Sequence, residues 1–474
     1  MGIEDSLWRI LAATSILALI LRASPADAAP PKGPPVSDAS SRQANIDENP
    51  TSILSPSVVS TDSPAVVSDK ALSLNTVLRE VLASGFEARL ANITVDATRG
   101  DARSFAAIAN PAMSLGMGRA LGYNPSQCPG CSATQYQLGL SDQSALNDVI
   151  SGKHGLRGDI GQKTVQIAGL QRDDAVRVLR LAAKQQFGSL VFSQARLRIS
   201  ERILVSARET ERLVRARYNS GAPLPDLLRA EAVTLDAQQR LRAAEVRLTT
   251  DRAQLALLMG RTTLEGLVFD EAMLTAAPPV VDAMPQAARW IDQARTQRPD
   301  RVAAGVAVEQ SESSLRLARR NRWPDIEIQL GYTQQGLGTN AIQPPTVSVA
   351  LAAPIPLFYQ NQGQIDRALA DTSARSVEQK RLDMQIASAV RTSLAQVTSA
   401  WAQAQNAEER LTRARRALEM VRLQYQEGAT SLVDLLEATG SATDAEDNFL
   451  AARETYWAQV YQLEYDAGRE IAKQ

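Results

Sequence analysis

The sequence is poor in aromatic residues, histidine and cysteine, and neither charge is in marked excess. Aromatic residues make up 4% of the 474 positions, against 44% hydrophobic and 22% charged residues, so the apolar content is mainly Ala, Leu and Val. This composition favours long, closely packed helices over a bulky globular core. The formal net charge of −1 gives no electrostatic basis for binding nucleic acid.

Histidine and cysteine are too scarce for most metal enzymes. One histidine, His154, and two cysteines, Cys128 and Cys131, argue against a multi-histidine metal site and a disulfide scaffold. Neither a nucleophile–base set nor a glycine-rich phosphate loop is apparent. We therefore expect no enzyme, no metal and no cofactor, and we expect His154 to be a solvated loop residue.

The N-terminus has the features of an export signal. Residues 10–21 form an apolar stretch of signal-peptide length, and Ala26-Asp27-Ala28 provides small residues for a cleavage site. We assign 1–28 to a signal peptide, with a buried N-terminal helix as the alternative. Residues 29–70, rich in Pro, Ser and Asp, predict an extended or disordered lead. Beyond residue 21 no apolar run approaches the roughly 20 residues of a membrane-spanning helix.

The chain contains an internal repeat. The segments RYNSGAPLPDLL at 217–228 and QYQEGATSLVDLL at 424–436 share a tyrosine, a glycine three positions later, and Asp-Leu-Leu. A seven-residue, mainly apolar stripe precedes each tyrosine at a constant offset of 207 residues. This period predicts long helices that pack at a shallow angle.

A second pair of matching segments begins at Pro111 and Pro324, 213 residues apart, each after a helical stretch at about 72–109 and about 285–322. Each half therefore predicts a helix, two strands and a long helical hairpin. We divide the chain into a first repeat at 71–261, an equatorial linker at 262–284 and a second repeat at 285–474.

Four segments alternate apolar and polar residues, which predicts strands with one apolar and one polar face. They lie at about 112–119, 134–141, 325–333 and 346–353. A soluble hairpin on a helical core is the alternative interpretation. The export signal favours a membrane, and so do aromatic residues just outside the strands, at Trp323, Phe358 and Tyr359. Because four strands cannot close a barrel and open edges cannot face lipid, a membrane wall would need several chains.

The helices at about 160–219 and 365–426 contain no internal proline and would each be roughly 90 Å long. Charges lie on more than one face of each, as in the run at 408–416. Water on two sides is expected for the wall of a hollow helical tube. A solid coiled-coil stalk is the alternative.

Four segments resemble a known family. RYNSGAPLPDLLRAE at 217–231 and QYQEGATSLVDLLEAT at 424–439 resemble the signature hairpins of TolC-type outer-membrane factors. The segments 298–332 and 354–370 resemble the branch that serves heavy-metal efflux, the CzcC and CusC type. The resemblance covers roughly residues 70–470.

The resemblance implies a mainly α fold with a membrane β-barrel. Each protomer of a homotrimer would give four strands to a twelve-stranded barrel in the outer membrane, and its helices would build a periplasmic tunnel. The implied partners are a periplasmic adaptor (membrane fusion protein), an inner-membrane RND transporter and outer-membrane lipid. The implied function is passive export of heavy-metal cations or drugs. A periplasmic coiled-coil structural or adaptor protein without a pore remains the alternative.

The resemblance also implies roles for residues of the second hairpin. Asp434 and Glu437 would ring the narrowest point of the tunnel, where six carboxylates would favour cations and raise some of their pKa values. Tyr425 and Asp226 would close the periplasmic gate. A gate arginine of the family falls on Thr430, so part of that closing network is absent here.

The remaining predictions concern the turns and one loop. The residues expected at the hairpin tips, in contact with the adaptor, are Tyr218, Gly221, Leu227, Gly428 and Leu435. Cys128 and Cys131 fall between the first two strands, hence in a loop at the cell surface. A local disulfide is the favoured interpretation there, and a surface metal site is the minor one.

Overall fold

A computed structural model describes residues 71–121, 123–124, 126, 132–275, 287–336 and 345–471. The predicted signal peptide at 1–28 and the lead at 29–70 lie outside the described residues. So do Cys128, Cys131 and part of the predicted linker.

Within the described ranges the chain forms ten helices and four strands, in an order that nearly repeats. The helices are α1 Leu74–Ser84, α2 Phe86–Ala106, α3 Ala145–Ile150, α4 Lys153–Asn219, α5 Leu224–Met259, α6 Ala272–Thr275, α7 Ala287–Gln297, α8 Pro299–Arg320, α9 Gln362–Gln426 and α10 Leu432–Ala467. The strands are β1 Ala112–Arg119, β2 Thr134–Ser141, β3 Glu327–Gln335 and β4 Thr346–Ala352.

Two very long helices, α4 and α9, dominate the structure. They contain 67 and 65 residues, which corresponds to about 100 Å each. Each turns back into a 36-residue helix, α5 or α10. The seven-residue stripes are buried along both helices, as at Ala183, Leu190, Val390 and Val397. Lateral packing along these thin seams explains how a chain with few aromatic residues is stabilised.

The helical stretches before the strands differ from the prediction, because each is broken in two. The first break is at Gly85, whose ψ of 138° is extended. A Cβ at Gly85 would clash with the carbonyl oxygen of Val81 and would lie 2.9 Å from the carbonyl oxygen of Leu258, so only glycine fits here. The second break is at Arg298, which precedes Pro299 and is therefore biased towards extended backbone.

The four predicted strands are confirmed, and they form one antiparallel sheet in the order β1-β2-β3-β4. The register aligns apolar residues in rows across one face, such as the row Met113, Leu140, Leu330 and Val349. Within the described residues, β1 and β4 each pair on one side only. The apolar side chains of these two edge strands are highly exposed, at 76% for Leu115, for example.

The polar face of the sheet contains a row of small residues, Ser114, Gly139, Gly331 and Ser348. The hydroxyl of each serine occupies the space beside the neighbouring glycine. A Cβ at Gly139 would lie 2.5 Å from Ser114 Oγ, and one at Gly331 would lie 2.6 Å from Ser348 Oγ. Side chains larger than hydrogen at the two glycines therefore do not fit beside the two serines.

The two halves of the chain share their packing. One buried cluster joins α1, α4 and α5 to Leu450, Trp457 and Tyr461 of α10, and a second joins α7, α9 and α10. Helix α8 of the second half packs against both α4 and α9. Among the described residues, no helix combines the length and apolar character needed to cross a membrane.

Candidate functional site at the hairpin turns

The two long hairpins end in turns of the same construction. In both, a glycine adopts a positive φ, 103° at Gly221 and 78° at Gly428. The next amide donates to the carbonyl oxygen four residues before the glycine, with N···O distances of 3.1 and 2.8 Å. Such bonds satisfy the last carbonyl groups of a helix. No heavy atom lies within 4 Å of a Cβ built at either glycine, so the backbone angle rather than space calls for glycine.

The second turn is one residue longer and contains a capping box. The Asp434 amide donates to Ser431 Oγ over 3.3 Å, and the Asp434 carboxylate accepts from the Ser431 amide over 3.1 Å. The carboxylate also accepts from Ser431 Oγ over 2.7 Å and from Thr430 Oγ1 over 2.8 Å. Thr430, where the resemblance places a gate arginine, therefore stabilises the start of α10 instead.

These contacts change the electrostatics expected of Asp434. Hydrogen bonds from the hydroxyl groups of Ser431 and then Thr430 lower the pKa of Asp434 below its usual value of 3.8. Within one chain the cap thus opposes the raised pKa expected for a ring of carboxylates. Glu437 lies three positions further along α10, and both acidic side chains are exposed, which is compatible with both facing one aqueous space.

Tyr425 lies between the two hairpins rather than on the surface. It is 8% exposed and packs with Val214, Leu227 and Leu435. The guanidinium carbon of Arg217, from the first hairpin, lies 4.5 Å from the centroid of its ring. This is a cation–π contact that joins the hairpins directly.

The predicted partner of Tyr425 makes a different contact. Asp226 is half-buried, and its Oδ1 lies 3.4 Å from Nη1 of Arg229 on the same helix. Within the described part of the chain, no hydrogen bond joins Asp226 to the Tyr425 hydroxyl. The Tyr425–Asp226 link therefore stays a prediction.

The residues predicted to contact an adaptor separate into buried and exposed groups. Leu227 and Leu435 are each 8% exposed because they pack between the hairpins. Tyr218 is 39% exposed, and Gly221 and Gly428 are exposed at the turns. The sequence analysis missed Leu224 and Leu228, which are 48% and 55% exposed on α5. Their i, i+4 spacing indicates that they share one face of the helix, but only the tertiary structure shows that this face is exposed.

Ion pairs between the hairpins were also missed. Arg240 of α5 reaches Asp447 of α10 over 3.4 Å, and Arg247 reaches Glu454, seven positions further along, over 3.2 Å. Burial raises the pKa of Asp447 despite the nearby guanidinium of Arg240. These pairs connect α5 and α10 along the same seven-residue period as the apolar stripe.

The histidine prediction is wrong. His154 is the second residue of α4, not a loop residue, because the helix begins at Lys153. Its Nδ1 is buried and has no hydrogen-bond partner among the described residues. In the same residues, no group of three or more His, Cys, Asp or Glu side chains could hold a metal ion.

Paired long helices and a four-stranded antiparallel sheet, with two glycine turns at the far ends of the hairpins, form a fold that the solved structures of CusC and VceC share. The family model "Outer membrane efflux protein" matches residues 77–261 and 290–468. The chain therefore belongs to the outer membrane efflux protein family. A search of curated proteins gave no match.

Solved structures share the fold at low sequence identity. The structure of CusC is 18% identical with a TM-score of 0.68, over 84% of this chain and 92% of that one. The CmeC outer membrane channel of Campylobacter jejuni is 16% identical with a TM-score of 0.68, over 83% and 85%. The open state of the MtrE channel of Neisseria gonorrhoeae is 19% identical with a TM-score of 0.68, over 84% and 89%.

These comparisons confirm the predicted family and fold class. CusC is no more similar to this chain than CmeC or MtrE in TM-score. The heavy-metal branch therefore stays a prediction.

Proposed function

We propose that three copies of the chain form the outer-membrane exit duct of a tripartite efflux pump. In this assembly twelve strands, four from each copy, close a barrel in the outer membrane. The long helices extend into the periplasm as a tunnel. An inner-membrane transporter and a periplasmic adaptor deliver the substrate, and the chain itself provides a passive, gated route.

The sheet carries this proposal. Among the residues that the structure describes, its apolar face is exposed and its two edge strands have unpaired backbone groups on their outer sides. An apolar face suits lipid, whereas an open edge in lipid leaves peptide groups without hydrogen bonds, at several kcal/mol each. Pairing β1 of one copy with β4 of the next satisfies both requirements at once. Exposed Trp323, Phe358 and Tyr359, at 72%, 98% and 58%, suit the interfaces of the membrane with water.

The hairpin turns support the periplasmic half of the proposal. They lie at the ends of α4 and α9 that are remote from the sheet, so in the proposed duct they would form the entrance of the tunnel. There the exposed Tyr218, Leu224 and Leu228 provide an apolar surface for the adaptor. The cluster around Tyr425 holds the two hairpins together, which would keep the entrance closed.

The substrate proposal is heavy-metal cations, with drugs as the other class. It rests on the resemblance of the segments 298–332 and 354–370 to the heavy-metal branch, and on the two exposed acids of α10. Three copies of Asp434 and Glu437 would place six carboxylates around the entrance. Such a ring favours cations over anions.

Planar-bilayer conductance of the purified chain tests the duct and the constriction together. Wild type is compared with Asp434→Asn/Glu437→Gln and with the matched variant Glu419→Gln/Glu427→Gln, which removes two exposed acids near the same turn. We expect a cation-selective conductance that loses selectivity only in the first variant. Unchanged selectivity in that variant would reject the constriction and keep the channel. A protein that is soluble without detergent would instead favour the coiled-coil adaptor alternative.

A further inference from the structure

One end of the sheet is surrounded by exposed apolar side chains. At this end β1 and β3 begin and β2 and β4 end, and the chain continues from β2 and β4 towards α4 and α9. Each of the four segments that enter or leave the sheet here exposes at least one large apolar side chain: Ile108, Ile150, Trp323 and Phe358. In the proposed duct, this end of the sheet would meet the periplasmic leaflet of the outer membrane.

Three arginines lie at the same end, between α8 and β3. Arg319 and Arg320 belong to the last turn of α8, and Arg322 directly precedes Trp323. All three are exposed. Among the described residues, none of the three has a carboxylate within ion-pair distance. Their charge therefore faces solvent beside an apolar surface.

The carboxylates nearest in sequence are occupied elsewhere. Asp325 forms an ion pair with Lys153 over 2.6 Å, and the Glu327 carboxylate accepts from the Ser141 hydroxyl. The next acid along the chain is Asp366, because residues 328–365 contain no charged residue. The three arginines thus form a positive patch that the neighbouring acids do not neutralise.

Two of the arginines are oriented by neutral groups. Arg320 Nη1 donates to the carbonyl oxygen of Ser151 over 2.6 Å, and Arg322 Nη2 donates to Gln360 Oε1 over 3.1 Å. These bonds connect the patch to the segment before α4 and to the loop before α9. A guanidinium group has five N–H donors, so each arginine keeps donors for a further ligand.

The first half of the chain shows that this junction folds without the three arginines. At the offset of 213 residues their counterparts are Ala106, Ala107 and Ala109. Arginine near the end of a helix can stabilise it through the helix dipole, yet in the last turn of α2 only Arg103 is basic. The fold of the junction therefore does not account for the patch, whereas a ligand for it would.

We propose that Arg319, Arg320 and Arg322 bind the phosphate of an anionic phospholipid in the periplasmic leaflet, with its acyl chains against Trp323 and Phe358. This rests on the proposed function, which places this end of the sheet at the inner surface of the outer membrane. Guanidinium and phosphate match in charge and in hydrogen-bond geometry. Three unpaired cations favour a headgroup of net negative charge, such as phosphatidylglycerol, over a zwitterionic one.

The connections at the other end of the sheet differ in charge. Residues 120–133 join β1 to β2, residues 336–345 join β3 to β4, and neither segment contains a charged residue. Arg119, the last residue of β1, is the nearest cation in sequence. A preference for anionic headgroups is therefore expected at the periplasmic end.

Quenching of Trp323 fluorescence by brominated lipids tests the site on the full chain in vesicles. Wild type is reconstituted in phosphatidylcholine that contains either brominated phosphatidylglycerol or brominated phosphatidylethanolamine. Trp323→Phe gives the signal of the other tryptophans, which is subtracted. We expect phosphatidylglycerol to bind beside Trp323 at least about tenfold more tightly than phosphatidylethanolamine. Equal quenching by the two lipids would overturn the proposal.

A triple variant assigns the preference to the arginines. Arg319→Ala/Arg320→Ala/Arg322→Ala introduces the residue type that the first half has at these places, and it should reduce the preference to less than about twofold. Thermal unfolding of the same variant measures any role of the arginines in the fold. A variant that is less stable but keeps the full preference would show a structural role only, and would reject the lipid site.

The matched control changes the net charge equally at a remote place. Arg202→Ala/Arg208→Ala/Arg212→Ala removes three exposed arginines from the part of α4 near its turn, far from the sheet. These arginines also lack ion-pair partners among the described residues. The control is expected to keep the preference for phosphatidylglycerol. An equal loss in both triple variants would mean that net charge alone attracts the lipid.

Two further outcomes separate the proposals. Replacing chloride by inorganic phosphate at equal ionic strength should leave the preference intact; its loss would assign the arginines to a soluble anion instead of a lipid. A wild-type protein that inserts and conducts without any headgroup preference would reject the lipid site alone. A protein that does not enter vesicles at all would reject the proposed duct as well.

Discussion

Replacing Arg217 by Gln is expected to weaken the closed state of the hairpin tips. The change removes the cation above the Tyr425 ring and leaves the turn intact, because the second turn already has a glutamine, Gln424, at the equivalent position. A cation–π contact at a partly exposed site contributes about 0.5–1 kcal/mol. In a concerted gate of three copies this becomes about 1.5–3 kcal/mol, or a roughly tenfold to 150-fold rise in the open-to-closed ratio.

The tyrosine hydroxyl separates this reasoning from the predicted link to Asp226. Tyr425→Phe keeps the ring, its burial and the contact with Arg217, so we expect less than about a threefold change in the same ratio. If a hydrogen bond to Asp226 held the gate closed instead, Tyr425→Phe would open it about as much as Arg217→Gln.

The assay is single-channel recording of the open probability in planar bilayers. Arg212→Gln is the control, because Arg212 is an exposed arginine of the same helix without an ion-pair or ring partner among the described residues. Equal leakage of the Arg212 and Arg217 variants would refute the role of the cation–π contact. So would a Tyr425→Phe channel as leaky as Arg217→Gln.

Three further changes test other parts of the structure. Gly428→Ala is expected to lower the free energy of unfolding by about 1–2 kcal/mol, because residue 428 has a positive φ. Gly440→Ala, inside α10, should raise that free energy by up to about 1 kcal/mol. Thermal unfolding measures both effects. Lys184→Met removes the 2.7 Å ion pair of the buried Glu464. The free energy of unfolding, measured with denaturant, should fall by about 3–5 kcal/mol. A decrease below about 1 kcal/mol would argue against burial of the pair. Because the pKa of Asp434 is lowered, its carboxylate should stay charged at pH 5, and its contribution to cation selectivity should be lost only as the pH falls below 3.8. Reversal potentials measured as a function of pH test this. If the cap were absent, the selectivity would be lost at a higher pH.

The sequence predicts most of the fold because two periods are clear in it. A period of seven gives the long helices, and a period of two gives the four strands. The breaks at Gly85 and Arg298 were missed because a single glycine or X-Pro step also occurs inside helical patterns. In the case of Gly85, part of the reason lies in a close approach to the carbonyl group of a residue far along the chain, Leu258.

The candidate site was less accessible to sequence reasoning. The pattern Ser431-Leu-Val-Asp434 is a capping box and could have shown that Asp434 stabilises the start of a helix. By contrast, Tyr218 and Tyr425 are equivalent in sequence, yet one is exposed and the other buried. Only the packing of the two hairpins against each other makes that difference, just as it creates the pair of Arg240 with Asp447.

The row of two serines and two glycines across the sheet acts as a steric guide for strand alignment. If a strand shifted by two residues, its apolar face would be kept, so hydrophobicity alone does not oppose the shift. Such a shift would move each hydroxyl away from the glycine that makes room for it and towards a bulkier side chain. The sheet can therefore select one alignment while it forms, before any neighbouring copy is present to complete its edges.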